Sequence, residues 1–367
     1  MLDNPWFWVA AAIVVVALVA VLLDARRSSS GGHRGVAGLR RRPHRNDFRP
    51  DGAEALPPPE PLRRAAVVAN PTKFADLGSV RLRVTTMMLA EGLGEPLWFE
   101  TTAQDPGTGQ ARRALAEGAV LVCALGGDGT VRAVAEALVG SDIPMGLLPG
   151  GTGNLFARNL DLPVDSLERA LVVALTGQNH RVDVGRLHVT REEGGVPEQV
   201  LFLVMAGLGL DAQIMADTPE ALKARVGGAA YFVTGARSLV GQAFKVRLRL
   251  GGETPVTRRT RTVIIGNVGR LLGGLRLMPD ARVDDGLLDV VVISPRGPMG
   301  WASVATKLAT RSRRGHALVD HHAAAEIEVT VDHPEEVQVD GDTIGPAHSI
   351  RAVADHLALV VRMAPRP

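Results

Sequence analysis

An apolar run, Val120 to Leu125, stops at Gly126, Gly127, Asp128, Gly129 and Thr130, and a helical pattern follows at once from Thr130 to Leu138. Ile143 to Leu148 repeats the arrangement: a short strand running into Pro149, Gly150, Gly151, Thr152, Gly153 and Asn154. A strand that ends in a glycine loop and restarts as a helix is the unit of a parallel sheet with helices on its faces. Glycine has no Cβ, so backbone can approach a ligand closely, and N–H groups at a helix start favour phosphate oxygens. A single glycine turn often only joins strand to helix; two in succession at one sheet edge predict a nucleotide pocket. Neither loop ends in Gly-Lys-Ser/Thr and neither fits GxGxxG, which argues against a P-loop enzyme and a dinucleotide fingerprint.

The flanking pattern agrees. Ala65 to Ala69 reads as a buried strand closed by Asn70, Pro71, Thr72 and Lys73, followed by a helix over about Val80–Glu91, a strand ending near Phe99 and a helix over about Gln110–Glu117. Asp165 and Glu168 have capping-box spacing for a helix reaching Leu175. Beyond it the period becomes two. Phe244, Val246, Leu248 and Leu250 alternate with Lys245, Arg247 and Arg249, and Ile327, Val329 and Val331 alternate with Glu328 and Thr330. That is antiparallel sheet with one polar face.

Pro5 to Leu23 is uncharged and almost wholly apolar, about 19 residues or roughly 28 Å of helix, which is enough to span a bilayer. Trp6 and Trp8 stand at one end and Arg26 and Arg27 at the other, so the positive-inside rule predicts a single-pass cell-membrane protein with a cytoplasmic body. A cleaved signal peptide would begin with a positive region, whereas only Asp3 precedes this run. Ser28 to Pro61 is rich in Gly, Ser, Arg and Pro and reads as a linker whose arginines suit an anionic membrane surface. With 41 Lys and Arg against 39 Asp and Glu, basicity is local, and no nucleic-acid partner is expected. The one cysteine, Cys123, excludes an intramolecular disulfide and reads as a buried strand thiol. His321 and His322 lack companion ligands and read as a solvated loop.

The order Asn-Pro-Thr, GGDGT, LPGGTGN resembles the diacylglycerol kinase catalytic family, which includes sphingosine kinases and bacterial lipid kinases. GGDGT is shared with NAD kinases and phosphofructokinases, while PGGTGN followed by Phe156, Ala157 and Arg158 favours the lipid branch. The resemblance implies an NAD-kinase-like α/β domain, a C-terminal β-sandwich and a last strand, around Leu357–Arg362, that returns to the first domain. The corresponding divisions are a 1–25 anchor, a 26–63 linker, a 64–183 ATP-binding domain, a 184–352 lipid-substrate domain and a 353–367 returning strand.

The same resemblance implies ATP contacts at Asn70, Pro71, Thr72, Lys73, Thr101, Gly126, Gly127, Asp128, Gly129, Thr130, Val131, Arg132, Gly151, Thr152 and Asn154. Asp128 would stand beside the triphosphate and its Mg²⁺. Many bacterial relatives continue NPTSG where this chain has Lys73 and Phe74, which makes Lys73 an added phosphate contact.

Three further turns complete the expected site. Gly207 to Ala212 resembles the family's GxGxDA element. The turn from Pro279 to Asp289 resembles one that holds a structural Mg²⁺ through Asp285 and main-chain carbonyls at Arg282 and Leu287; a solvated Asp-Gly turn is the plainer reading. Val337 to Asp342 matches an Asp-Gly-Glu turn that supplies the proton acceptor, here either Asp340 or Asp342.

The implied reaction is ATP-dependent phosphorylation of a membrane lipid hydroxyl, most simply diacylglycerol to phosphatidic acid; a sphingoid-base or lipid-alcohol kinase and an NAD-kinase-like enzyme are the alternatives. The amphipathic stretch Trp301–Arg314 reads as a second membrane contact or an ordinary surface helix. Edge strands of the second domain offer sites for a homodimer.

Overall fold

The computed structural model describes residues 63–209, 243–270, 276–294 and 319–365. Four parallel strands open the fold: β1 (Ala65–Ala69), β2 (Leu97–Glu100), β3 (Leu121–Gly126) and β4 (Met145–Pro149), in the order β4-β3-β1-β2. Their helices are α1 (Leu77–Ala90), α2 (Thr108–Ala116), α3 (Asp128–Leu138), the short α4 (Leu155–Asn159) and α5 (Leu167–Thr176). Alternate residues of β1 serve two cores. Ala66 and Val68 pack with Val131, Val134 and Leu138 of α3, and Ala65, Val67 and Ala69 pack with Val84 and Met88 of α1 and Leu171 of α5. A sheet covered on both faces explains why its strands are continuously apolar.

The strand order reverses beside β1, whose chain leaves towards β2 while β3 lies on its other side. Such a switch point opens a crevice at the carboxyl ends of the strands. Asn70 follows β1 there and Gly126 closes β3.

The second half is antiparallel: β5 (Gln178–Thr190), β6 (Glu198–Phe202), β7 (Met205–Leu208), β8 (Phe244–Leu250), β9 (Val256–Thr260), β10 (Thr262–Gly266), β11 (Leu288–Ile293), β12 (Val319–Ala324), β13 (Glu326–Val339) and β14 (Asp342–Met363). The alternation holds, with Val246 and Leu248 buried between exposed Lys245, Arg247 and Arg249. With Ile327, Val329, Val290 and Val292 they fill the core of a β-sandwich. Strand β14 pairs with β13 near its start and, at Val361, runs parallel to Met145 of β4, so one strand runs from the sandwich into the α/β sheet.

Several expectations change. Among the described residues no helix is long and apolar enough to cross a membrane, and Pro5 to Leu23 lies outside them with the linker; the single-pass membrane localisation is therefore withdrawn. Asp211, Ala212 and the Trp301–Arg314 stretch also lie outside the described residues. His321 and His322 are exposed but stand in β12, not in a loop, because β11 supplies a pairing partner for their backbone. The cap of α5 is Ser166, which accepts the N–H of Arg169, while Asp165 instead pairs with the Arg169 side chain. Cys123 is buried, and desolvation pushes its thiol up to about 12.

Candidate active site

The two glycine loops lie against each other. Gly150 donates its N–H to the Gly126 carbonyl at 2.9 Å. A Cβ on Gly151 would stand 2.8 Å from the Cα of Gly127, so backbone contact between the loops requires glycine there. Gly129 differs: nothing lies within 4 Å of the place its Cβ would occupy. The loops thus use some glycines to pack and leave another open to an approaching molecule.

Helix α3 starts at Asp128 without a side-chain cap, so its first N–H groups are available to an anion. Asn70 is turned to the same place. Its Oδ1 accepts the Thr72 N–H and hydroxyl at 3.0 and 2.8 Å, shaping the 3-10 turn Pro71–Lys73, and its Nδ2 stands 3.5 Å from Thr130 Oγ1. Lys73 reaches over the loop, its Cε 3.8 Å from the Cβ position of Gly127. Thr101 is buried and donates its N–H to Ala69, fixing the ends of β1 and β2. Thr152 is exposed, and Asn154, left-handed at φ 46°, donates from Nδ2 to Gly151 O at 2.7 Å. Val131 belongs to this stretch only by backbone, since its side chain sits in the core.

Asp128 does more than line the loop. Its Oδ1 accepts the Leu155 N–H at 2.7 Å, capping α4 from the neighbouring loop. Burial raises its pKa, and the N–H groups of Leu155, Phe156 and Asn154 oppose that shift.

The acidic turn of the second lobe separates its two aspartates. Asp340 and Gly341 both have positive φ, 49° and 98°, and Val339 pairs with Asp342, as in the two-residue hairpins that Asp-Gly favours. The Asp340 carboxylate accepts N–H groups from Leu203, Val204 and Met205 at 2.9, 2.8 and 3.0 Å. Burial pushes its pKa up to about 6 against the pull of those N–H groups and Arg132. Asp342 is instead 61% exposed, and its Oδ2 accepts from Arg132 at 2.7 Å. The same guanidinium donates to Val339 O at 2.7 Å, joining the acidic turn to the helix that begins in GGDGT. Sequence patterns showed both motifs but carried no sign of this pairing between residues far apart in the chain.

The third turn is held by a residue that motif reading missed. Asp183 is fully buried and accepts N–H groups from Gly286 and Leu357, each at 2.7 Å, and lies 2.8 Å from His356 Nδ1. Its one sequence signal is a lone carboxylate flanked by Val182 and Val184. Within the turn, Asp285 accepts the Leu287 N–H at 3.1 Å and Arg282 pairs with Asp284 at 3.1 Å. Asp289 is pushed up to about 6 by burial and then by Asp285 and Asp280. Crowded carboxylate oxygens are the hard donors that Mg²⁺ prefers, so the chemistry fits such an ion. No group of three or more His, Cys, Asp or Glu is arranged to hold a metal among the described residues, so any ion here would depend on main-chain oxygens and water.

Comparison with known proteins agrees with this architecture. Residues 64–187 match the diacylglycerol kinase catalytic domain, and residues 204–361 match the YegS C-terminal NAD kinase beta sandwich-like domain. The chain is 31% identical over 290 residues to a Cronobacter sakazakii protein named "Probable lipid kinase YegS-like", covering 76% of this chain and 90% of that one. It is 27% identical over 285 residues to a Staphylococcus saprophyticus protein named diacylglycerol kinase, covering 76% and 89%. A crystal structure of a diacylglycerol kinase from Bacillus anthracis superposes with a TM-score of 0.66 at 22% identity, over 83% of this chain and 98% of that one.

Proposed function

The chain belongs to the lipid kinase family that joins a diacylglycerol kinase catalytic domain to a YegS-type sandwich, and on that premise we propose that it transfers the γ-phosphoryl group of ATP to a diacylglycerol hydroxyl, giving phosphatidic acid. The observation that carries this reading is the 2.7 Å contact between Arg132, one turn into the glycine-loop helix, and Asp342 in the opposite lobe.

In this scheme the ATP phosphates rest against the glycine loops and the uncapped start of α3, with Lys73 over them. The lipid hydroxyl approaches from the side of Asp342. As its oxygen attacks the γ-phosphorus, the bond to the ADP oxygen breaks and the hydroxyl proton passes to the Asp342 carboxylate. The other carboxylate of the turn, Asp340, is committed to three backbone N–H groups and serves as the anchor of the turn. Phosphoryl transfer depends chiefly on positioning and charge neutralisation, while a general base adds typically about 10²–10⁴-fold. Mg²⁺, when bound, would neutralise phosphate charge at the loops, and a second ion would be held at Asp285 with the main-chain carbonyls of Arg282 and Leu287.

The test is incubation of purified protein with labelled ATP and, separately, micelles of diacylglycerol, micelles of a sphingoid base, and NAD, with products identified by mass spectrometry. Label in phosphatidic acid, lost in Asp342→Ala, is the expected result. Label only in the sphingoid base moves the substrate class, and label only in NAD overturns the lipid assignment.

A further inference from the structure

The resemblance that placed Arg132 among the ATP contacts does not account for its geometry. Both terminal nitrogens of its guanidinium are already engaged by the opposite lobe, one with Val339 O and one with Asp342 Oδ2, each at 2.7 Å. Its side chain is only 20% exposed, whereas its partner Asp342 is 61% exposed. We infer that Arg132 is a positioning residue: it clamps the acidic turn to the phosphate-binding helix and so sets the distance from Asp342 to the transferred phosphoryl group. This rests on the reading of Asp342 as the base.

Three features carry the inference. A guanidinium offers its N–H groups in a fixed planar fork, so two acceptors define both a distance and an orientation. Here those acceptors are the first and last residues of one tight hairpin, Val339 and Asp342, which are themselves a paired couple. The turn therefore cannot rotate about either contact alone.

The hairpin is also rigid on its own side. Asp340 donates its N–H to Met205 O at 2.8 Å while its carboxylate takes three N–H groups in return. The segment that holds it also packs on α3, since Leu203 and Val204 share a core with Val131 and Val134, and Arg132 adds to that apolar contact a directional link at the turn itself.

The covalent path between the lobes gives little help at this point. Strand β14 begins with Asp342 but meets β4 only at Val361, near its other end. An exposed ion pair would contribute little. This one is largely shielded on the arginine side, includes a backbone acceptor and spans two lobes, so its consequence is geometric. Displacement of a catalytic group by about 1 Å costs on the order of 10²-fold in rate.

The experiment compares wild type with Arg132→Gln, Arg132→Lys, Asp342→Asn and the Arg132→Gln/Asp342→Asn pair. We measure kcat, the KM for ATP, and amide exchange across 339–342 without substrates. The expected result for Arg132→Gln is a fall in kcat of about 10- to 100-fold, an ATP KM within about twofold, and faster exchange in the turn. On the Asp342→Asn background the same substitution should add less than about twofold, because a residue that acts through another has no separate effect once its target is gone. Arg132→Lys keeps the charge and loses the fork, so it should recover little.

A tenfold rise in ATP KM with kcat intact would make Arg132 a phosphate ligand and overturn the inference. So would wild-type turnover in Arg132→Lys, or an equal loss on both backgrounds. Should wild type phosphorylate no lipid, the kinase reading falls, and unchanged exchange in Arg132→Gln would separately show that the clamp does not hold the turn.

Discussion

The carboxylate of Asp128, the first residue of α3, accepts the backbone N–H of Leu155, the first residue of α4, at 2.7 Å. The aspartate of one glycine loop is thus the helix cap of the other, and the two loops act as one unit. Asp128→Ala should cost about 1 kcal/mol, the usual value of a lost helix cap, and loosen the second loop. Thermal unfolding should show the stability change, and the phosphoryl-transfer assay a fall in rate.

Two glycines should respond in opposite ways. In Gly151→Ala the added methyl would meet the Gly127 Cα at 2.8 Å and push the loops apart, lowering Tm and raising the ATP KM together. In Gly129→Ala the methyl has open space inside α3, where alanine is favoured over glycine by up to about 1 kcal/mol. That variant should hold or raise its Tm while binding ATP more weakly. Tight ATP binding by Gly129→Ala would show that no ligand passes over this position.

Asp340 makes stability depend on pH in a defined direction. Its pKa rises from 3.8 to about 6 on folding, so its contribution is full below 3.8 and is lost as pH climbs through about 6. Denaturant unfolding between about pH 3.5 and 7 should show this decline in wild type, with a plateau above the folded pKa. Asp340→Asn removes the ionisation, so the slope assigned to this residue should vanish. The variant should also be less stable overall, because an amide nitrogen replaces one oxygen that accepts backbone N–H groups. An unchanged slope in Asp340→Asn would assign the pH dependence to another group.

Asp183 holds the third turn from below, through Gly286. Asp183→Ala would leave the N–H groups of half-buried Gly286 and Leu357 without their acceptor, at up to about 1 kcal/mol for each group, the low end of the range for a buried donor. The Mg²⁺ concentration giving half-maximal activity should rise in the variant as the Asp285 turn loosens. An unchanged Mg²⁺ dependence alongside a lowered Tm would make Asp183 a purely structural residue.

The α/β half was legible because local rules and burial coincide there. Continuous apolar strands such as Val120 to Leu125, broken by glycine and followed by a helical period, admit few folds besides a covered parallel sheet. Period-two alternation around Val246 and Ile327 identified the sandwich strands for the same reason. Less was legible where spacing left the start of an element one residue uncertain. Asp165 and Glu168 have capping-box spacing, but α5 starts one residue later, so Ser166 accepts the Arg169 N–H and Asp165 pairs with the Arg169 side chain. His321 and His322 carry no apolar alternation, and a strand formed there because β11 offered its edge.

Spacing alone revealed two phosphate-friendly loops, since those depend on backbone conformation within a few neighbouring positions, and the resemblance of the motifs pointed to the acidic turns and the kinase reading. They could not divide the labour between Asp340 and Asp342. Folding sets the two in different surroundings: it buries one carboxylate against the N–H groups of Leu203 to Met205 and leaves the other in reach of Arg132. A carboxylate's role follows from the donors and solvent around it, and residues distant in the chain become neighbours only when the lobes pack.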